Sequence, residues 1–386
     1  MDRGNKNSGA YVFELQGADD VSLEHLSITG GYGGIQAANG QDSDHLSLID
    51  SRVWNNNYAI SIDTSNDFFV LSGSVVEYSN NRGVYVNGSD ALIEGNEIAR
   101  NSGWGIDISG SRGRVLNNSV YANSSGGINA SVNNGWNNRI LVQGNRSFDN
   151  ASGTNIAGYY NSEVRGNEVW GSAYGIAVYY GAQATGNQAW GNTTGLYGYS
   201  NAIVQDNRVW ANGTGITLYY GSTAQGNRVY GNSGAGVYVS TYDNLVTNNV
   251  IEANGGAGVQ LDGAYQSGSR TRVENNTIVA TGSASAIQVQ GSSSNVRIRN
   301  NILDVRGSGY ALNVASDSQQ GYLSDYNLFM LGASAKLAYW EDRPFANRTD
   351  WFYEVGQDRN SLTADARFID IDGADGVVGW DGSVVT

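Results

Sequence analysis

The chain has 386 residues, of which 53 are Gly and one is Pro, and it contains no Cys. Abundant Gly with almost no Pro suits many tight turns between hydrogen-bonded strands, and the lack of Cys excludes disulfides and thiolate chemistry. A net charge of −14 argues against a nucleic-acid partner, whose binding surfaces are basic, and no apolar stretch is long enough to span a bilayer.

Charged residues make up only 15% of the chain, yet aromatics reach 11% and Val and Ile recur regularly, so the low charge does not read as disorder. Asn, Ser, Gly, Thr and Tyr must cover the surface instead. The length is large for one globular core, but a solenoid escapes that limit because each unit packs only on its neighbours.

The opening MDRGNKNSGAYVFEL carries no apolar signal core, and structured-looking sequence begins at once. This points to an excerpt of a longer protein, whose other domains would then be partners. The stretch YVFELQGADDVSLEHLSITGGYGGI is looser than the repeats after it, as terminal repeats tend to be. His25 follows Glu24 and His45 follows Asp44; both are expected to be ordinary turn or surface residues. Asp63 and Asp107 are outward acids of the early coils, expected to be solvated, and nothing in their spacing pairs them as a hydrolase would need.

Residues 161–240 align as four blocks of 20: NSEVRGNEVWGSAYGIAVYY, GAQATGNQAWGNTTGLYGYS, NAIVQDNRVWANGTGITLYY and GSTAQGNRVYGNSGAGVYVS. The frame extends both ways. One Asn column runs through Asn96, Asn118, Asn145, Asn167, Asn187, Asn207, Asn227, Asn249, Asn276, Asn301 and Asn327, with Ser51 and Ser74 upstream. A second, five residues later, holds Asn101, Asn123, Asn150, Asn192, Asn212, Asn232 and Asn254. Alternation over three or four positions, as in Val204, Val209, Ile216 and Leu218, marks half-buried strands. Strands so short, separated by Gly and Asn, leave no room for crossover helices. Each must pair with its equivalent one coil away, in parallel and in register. The expected fold is all-β, a parallel β-helix solenoid of about 13 coils. The Asn columns are expected to be buried ladders, the Asn tolerating the left-handed conformation of a sharp corner.

In the Asn-x-Val-Trp frame Val points inward, so the next residue points outward. That position holds Tyr121, Phe148, Trp170, Trp190, Trp210 and Tyr230. Tyr159, Tyr179, Tyr199 and Tyr219 form a second outward set, with Tyr160, Tyr180 and Tyr220 beside them. Exposed aromatic rows are unusual on a soluble monomer, and sugar rings stack on such platforms. Arg146, Glu168, Gln188, Arg208 and Arg228 would supply polar neighbours. Phe148, Trp170, Trp190, Trp210, Tyr230, Tyr159 and Tyr219 are therefore the ligand-binding candidates. Same-face aromatics also stabilise a sheet without binding anything.

After about residue 320 the period fades. Residues 331–386 read as a cap or tail on the helix of residues 1–330, with a short amphipathic segment near 349–355, since a bare solenoid end invites aggregation. The closing run DIDGADGVVGWD places Asp370, Asp372, Asp375 and Asp381 as hard-oxygen candidates for Ca2+, although Ala374 and Asp375 break the usual loop pattern. No cofactor is required by the rest of the chain.

These repeats resemble bacterial extracellular right-handed parallel β-helix repeat proteins of the pectin-lyase-like superfamily, over about residues 15–330. GADDVSLEHLSITGGYGGI resembles that group's coil start, and SDYNLF with SLTADARFIDIDGADG resembles its tail. The resemblance implies right-handed coils and an extracellular or cell-surface location. It implies no single activity, because the group includes lyases, epimerases, hydrolases and non-enzymatic modules. Gly-His-Gly, Asp-Pro-His and Trp-Ile-Asp-His signatures are missing. The favoured reading is a module that binds a polysaccharide through the aromatic stripe. A polysaccharide lyase or epimerase on the same face is the first alternative. It would draw a base and cations from Tyr179, Tyr199, Arg165, Arg208 and Arg228, because no Lys lies between Lys6 and Lys336. A structural spacer or adhesin segment is the second.

Overall fold

The computed structural model describes residues 1–132, 139–151, 153–264 and 270–368. Contacts divide the chain into two units, Met1–Gln188 and Ala189–Thr386.

Each coil of the first unit passes through three short strands, and one coil shows why. Strands Glu163–Arg165, Glu168–Trp170 and Tyr174–Tyr179 are separated by corners at Gly166-Asn167 and Gly171-Ser172. Val164, Val169, Ile176 and Val178 alternate inward and are fully buried. Neighbouring coils repeat the pattern in parallel and in register: Glu168 faces Arg146, Val169 faces Ser147, and Trp170 faces Phe148. The same register holds on the second sheet, with Tyr174–Tyr179 beside Thr154–Tyr159, and on the third, with Gln183–Thr185 beside Glu163–Arg165. The second unit repeats this arrangement, for example Arg208–Trp210 beside Arg228–Tyr230, Thr214–Tyr219 beside Val237–Ser240, and Thr223–Gln225 beside Leu245–Thr247. The described residues make about 15 turns. The expected count of about 13 is close to this; begun at Val21, it left out the one coil of Asp2–Asn5 and Tyr11–Leu15, which pair with Ser27–Gly31 and Gly33–Ala37.

Both Asn columns are buried ladders. Asn145 donates from its backbone N–H (2.9 Å) and its side chain (3.0 Å) to Asn167 Oδ1, while Asn167 Nδ2 donates to the Val142 carbonyl (3.0 Å). In the second unit Asn227 binds Asn249 and the Val204 carbonyl in the same way. Ser172 fills the gap in the second column and accepts from the Asn150 N–H at 3.1 Å. One detail differs from expectation. The left-handed residue at these corners is the one before the ladder Asn, such as Asn117, Asp206, Asn248 or Ala211. The turn at that residue swings the next side chain into the interior, where only the neighbouring coil can bond it. A third ladder, at the corner after the second sheet, mixes Ser and Asn: Ser43 donates its N–H to Asn66 Oδ1 (2.9 Å), and Ser222 donates to Asn244 Oδ1 (3.0 Å).

The C-terminal segment packs on the last coils of the second unit. Leu362–Thr363 pairs in parallel with the last strand of the first sheet, Leu328–Leu331. Arg343–Phe345 folds back antiparallel on Lys336–Trp340, the last full strand of the second sheet. Helix α1 (Arg348–Val355) starts on Asn347, whose side chain accepts the Asp350 N–H at 3.0 Å, and stops at the left-handed Gly356. Trp351 is fully buried, meets Trp340 and Phe345 edge to face, and donates from Nε1 to Asp358 at 2.9 Å. The loop after α1 then covers the third sheet: Asp358 N–H binds the Ser324 carbonyl, and Gln357 Oε1 accepts the Ser324 N–H, both at 2.8 Å.

Replacing Asn167 with Ala would strand the Asn145 N–H and the Val142 carbonyl. Each buried group left unpaired costs about 1–3 kcal/mol, so a loss of about 3 kcal/mol is expected in denaturant unfolding. The exposed Ser102→Ala serves as the control and should stay within about 0.5 kcal/mol of the parent.

Candidate functional site

The outward column of the first sheet is a stack of rings. In the first unit Tyr121 and Phe148 lie 4.8 Å apart at 8°, and Phe148 and Trp170 lie 4.4 Å apart at 4°. In the second unit Trp190 and Trp210 are 5.0 Å apart at 15°, and Trp210 and Tyr230 are 6.0 Å apart at 7°. In-register strands are about 4.7–4.9 Å apart, which lets planar side chains in one column lie face to face. Cations complete the stacks. Arg100 lies 5.3 Å from the Tyr121 ring centre, and Arg146 lies 5.4 Å from that of Trp170. Arg208 lies 5.0 Å from Trp210 and donates from Nε to the Tyr230 hydroxyl at 2.5 Å. Arg228 lies 5.1 Å from Tyr230 and donates from Nε to Glu252 at 3.1 Å.

This corrects the expectation of an exposed stripe. Trp210 is 5% exposed and Tyr230 2%, while Phe148, Trp170 and Trp190 are half-buried. A sugar stacks on a ring face, and both faces of Phe148 and Trp210 are covered by neighbouring rings. The polar neighbours are engaged as well: Arg146 reaches Glu168 at 3.4 Å, and Arg208 and Arg228 hold the partners just named.

The second sheet has a different character. In the first unit Tyr159 and Tyr179 stack at 4.6 Å, and the corner residues Tyr160 and Tyr180 stack at 5.2 Å and are exposed. In the second unit the tyrosines tilt. Tyr199 meets Tyr219 at 40° and Tyr220 at 73°, and Tyr220 meets Tyr242 at 76°. Register then lines Thr217, Tyr238, Gln260, Gln288 and Asn313 into one outward column, with Tyr219, Ser240, Asp262 and Gln290 in the next. Gln288 donates to Gln290 at 2.5 Å, and Gln290 donates to Asp262 at 3.0 Å. Across Thr194–Tyr199, Thr214–Tyr219, Val237–Ser240, Val259–Asp262, Ile287–Gln290 and Tyr310–Val314, Asp262 is the one charged residue. Burial first, then Asp262 and Tyr219, push the Tyr238 phenol above its ordinary value, so it stays a neutral donor.

The catalytic candidates do not converge. Tyr179 and Tyr199 belong to the second sheet, whereas Arg208 and Arg228 belong to the first and Arg165 to the third, where it binds Glu163 and Gln143. His25 and His45 both sit at left-handed corners, and His45 stacks on Phe68 at 4.7 Å with Asp20 at 3.7 Å. Among the described residues, no group of three or more His, Cys, Asp or Glu could hold a metal ion. Asp370, Asp372, Asp375 and Asp381 lie outside the described residues.

One polar cluster was not anticipated. Asp107, expected to be solvated, is 7% exposed and accepts from Arg82 Nε and Asn129 Nδ2, both at 2.8 Å. Arg82 also lies 4.9 Å from the Tyr85 ring. Burial and then the Asp63 carboxylate raise the Tyr85 phenol, against the pull of Arg82. Asp107 faces Tyr85 on one side and Asn129 on the other because three coils are in register. The signal available in the sequence was this 22-residue offset, read as a column.

The model of the right handed beta helix region matches residues 33–194 and 191–303. The chain belongs to the right-handed β-helix family. Among solved structures, it is similar to the A-module of the mannuronan C-5 epimerase AlgE6 of Azotobacter vinelandii, at 13% identity and a TM-score of 0.40, covering 89% of each chain. It is similar to the AlgE4 A-module of the same organism at 16% identity and a TM-score of 0.37, covering 83% of this chain and 91% of that one. A complex of XylC with xylose aligns at 9% identity and a TM-score of 0.33, over 78% of this chain and 53% of the other. A search of curated proteins finds no match. Among the described residues, no helix is long and apolar enough to cross a membrane.

Trp210→Ala would remove a buried ring from the stack. Large-to-small changes of this kind cost about 3–5 kcal/mol, so the variant should unfold at clearly lower denaturant, as measured by far-UV circular dichroism. An unchanged midpoint would mean that the stack carries no stability.

Proposed function

We propose that the chain is an extracellular or cell-surface β-helix module that binds a neutral polysaccharide along the second sheet. The observation that carries this reading is the outward strip of Tyr, Thr, Ser, Gln and Asn in the second unit, with Asp262 its one charged side chain. Phenols and primary amides offer both donors and acceptors, which matches a hydroxyl-covered ligand. Tyr rings add apolar area with little rotamer freedom to lose. In-register strands repeat these groups at one spacing along a column, and a polymer of sugars can meet several repeats at once. Tyr219, half-buried on this sheet, keeps its role as a ligand contact in this reading, whereas Tyr159 belongs to the first unit, outside the strip. Phe148 and Trp170 in the first unit, and Trp190, Trp210 and Tyr230 in the second, stack along the first sheet instead.

The same strip weighs against a lyase or epimerase there. Removing a sugar proton beside a uronate carboxylate calls for cations and a base active near neutral pH. The six strands of the strip carry no cation, with Lys336 reaching the Tyr310 ring only at its far end, and burial raises the Tyr238 phenol. A plain spacer would need no such concentration of tyrosines.

The test is calorimetric titration of the full chain with neutral xylo-, gluco- and manno-oligosaccharides and with oligogalacturonate. Absorbance of unsaturated uronate is followed in parallel. Binding of a neutral glycan is expected, weakened about tenfold or more, or about 1.4 kcal/mol, in Tyr219→Ala/Tyr238→Ala. Trp210→Ala, measured where it is folded, should bind as the parent does. Failure of every neutral glycan, or loss in Trp210→Ala with the tyrosine variant unaffected, would sink the proposal. Unsaturated product would make the protein a lyase.

A further inference from the structure

We propose an oxyanion-binding pocket on the third sheet of the second unit, beside the loop that follows α1. Arg297 and Arg299 both point outward from strand Arg297–Arg299, and Arg359 comes from the loop after α1. Together with Leu323, Tyr326 and Gln357 they line a cavity of about 250 Å³.

In a chain of net charge −14, three guanidinium groups around one cavity need an explanation. Many arginines elsewhere meet carboxylates, as Arg52 holds Glu77 at 2.5 Å and Arg306 holds Asp304 at 2.9 Å, and others such as Arg208 and Arg348 bind neutral oxygens. None of Arg297, Arg299 and Arg359 forms an ion pair among the described residues. Arg299 goes further, because its Nε is buried with no hydrogen-bond partner at all. Its guanidinium lies 5.5 Å from the Tyr326 ring centre, which shields it from water on that side. A buried donor on a charged group without an acceptor is costly to keep.

The two acids at the cavity do not answer this charge. Asp325 accepts from the Tyr326 N–H at 2.9 Å and from Asn360 through its N–H at 2.7 Å and Nδ2 at 2.8 Å. Asp358 is 1% exposed and accepts from Trp351 Nε1 (2.9 Å), Asn327 Nδ2 (3.0 Å) and Ser361 Oγ (2.6 Å). Both carboxylates are held by neutral donors, and although Asp325 and Glu274 stand opposite Arg299 in the adjacent coils, neither forms an ion pair with it among the described residues. The frame is also firm: Asp358 and Gln357 are tied to Ser324, and Arg348 Nη1 holds the Asp358 and Arg359 carbonyls at 3.1 Å.

Guanidinium forks recognise carboxylate, sulfate and phosphate oxygens in pairs. The ligand class is therefore a single oxyanion group, either a free inorganic anion or the acidic substituent of a sugar. The pocket is on a different sheet from the tyrosine strip, and its occupancy does not depend on that strip binding a glycan.

The experiment titrates the full chain with sodium sulfate, sodium phosphate and sodium galacturonate by calorimetry, in chloride buffer of matched ionic strength. Arg297→Gln and Arg359→Gln are the variants, checked for folding by circular dichroism. One-to-one binding of at least one anion is expected, weakened at least tenfold in each folded variant and unchanged in Tyr219→Ala. Arg359 lies in the exposed loop after α1, so its variant carries the test should Arg297→Gln fail to fold. Preference for galacturonate assigns the pocket to an acidic sugar, and preference for sulfate or phosphate assigns it to an inorganic anion. No binding above the chloride background by any of the three, or equal binding in parent and variants, overturns the proposal.

Discussion

Two of the three corners in most coils depend on one kind of hydrogen bond: the side-chain amide of a buried Asn held by the coil beside it. The residue before it, Asn117, Asp206 or Gly166 for example, takes the left-handed turn and aims the Asn inward. Once buried, the amide has to be satisfied or the corner loses several kcal/mol. The next coil satisfies it with another Asn at the equivalent position, and a shift of one residue would break every rung. The ladder therefore does more than hold the coils together. It sets their register, and register decides which outward side chains become neighbours.

The aromatic column is a consequence of that constraint. Strands locked in register at sheet spacing let each outward ring lie against the ring of the next coil. Tyr121, Phe148 and Trp170 obey this in the first unit, as do Trp190, Trp210 and Tyr230 in the second. The rings turn their edges to solvent and their faces to one another. The same geometry that makes the column conspicuous in the sequence removes the faces a sugar would need. On the second sheet the column holding Tyr219 continues into Ser240 and Asp262, and even the in-register pair Tyr199 and Tyr219 is tilted. Tyr199, Tyr219, Tyr220 and Tyr242 tilt instead.

Much of the fold was legible because it is written in single residues at fixed offsets. Val204, Val209 and Ile216 mark the inward positions, and Asn207 with Asn212 mark two of the three corners. The third corner escaped notice because its column mixes Ser43, Asn66, Ser222 and Asn244, and a mixed column shows no consensus. The candidate site was less legible, since it is made of relations between columns. Arg82, Tyr85, Asp107 and Asn129 are unremarkable one by one and become a cluster only when three coils are laid over each other. Outward alternation also says where a side chain starts and nothing of where it ends, which is why Trp210 and Tyr230 were expected in solvent.

The distribution of charge obeys the same logic. Where an outward Arg has a carboxylate within reach in its own or a neighbouring coil, as with Arg52 and Glu77 or Arg228 and Glu252, the pair closes and the surface is neutralised locally. On the tyrosine face of the second unit such pairs are hardly needed, because there is almost no charge to neutralise. On the third sheet, Arg297 and Arg299 stand beside Leu323 and Asp325 in the next coil, and Asp325 is already committed to Asn360. The cap does this: by drawing Asn360 onto Asp325 and Trp351 onto Asp358, it satisfies both acids with neutral donors and leaves the arginines their charge. The segment that packs on the last coils thereby also brings Arg359 beside Arg297 and Arg299, where the repeat gives way to a unique sequence.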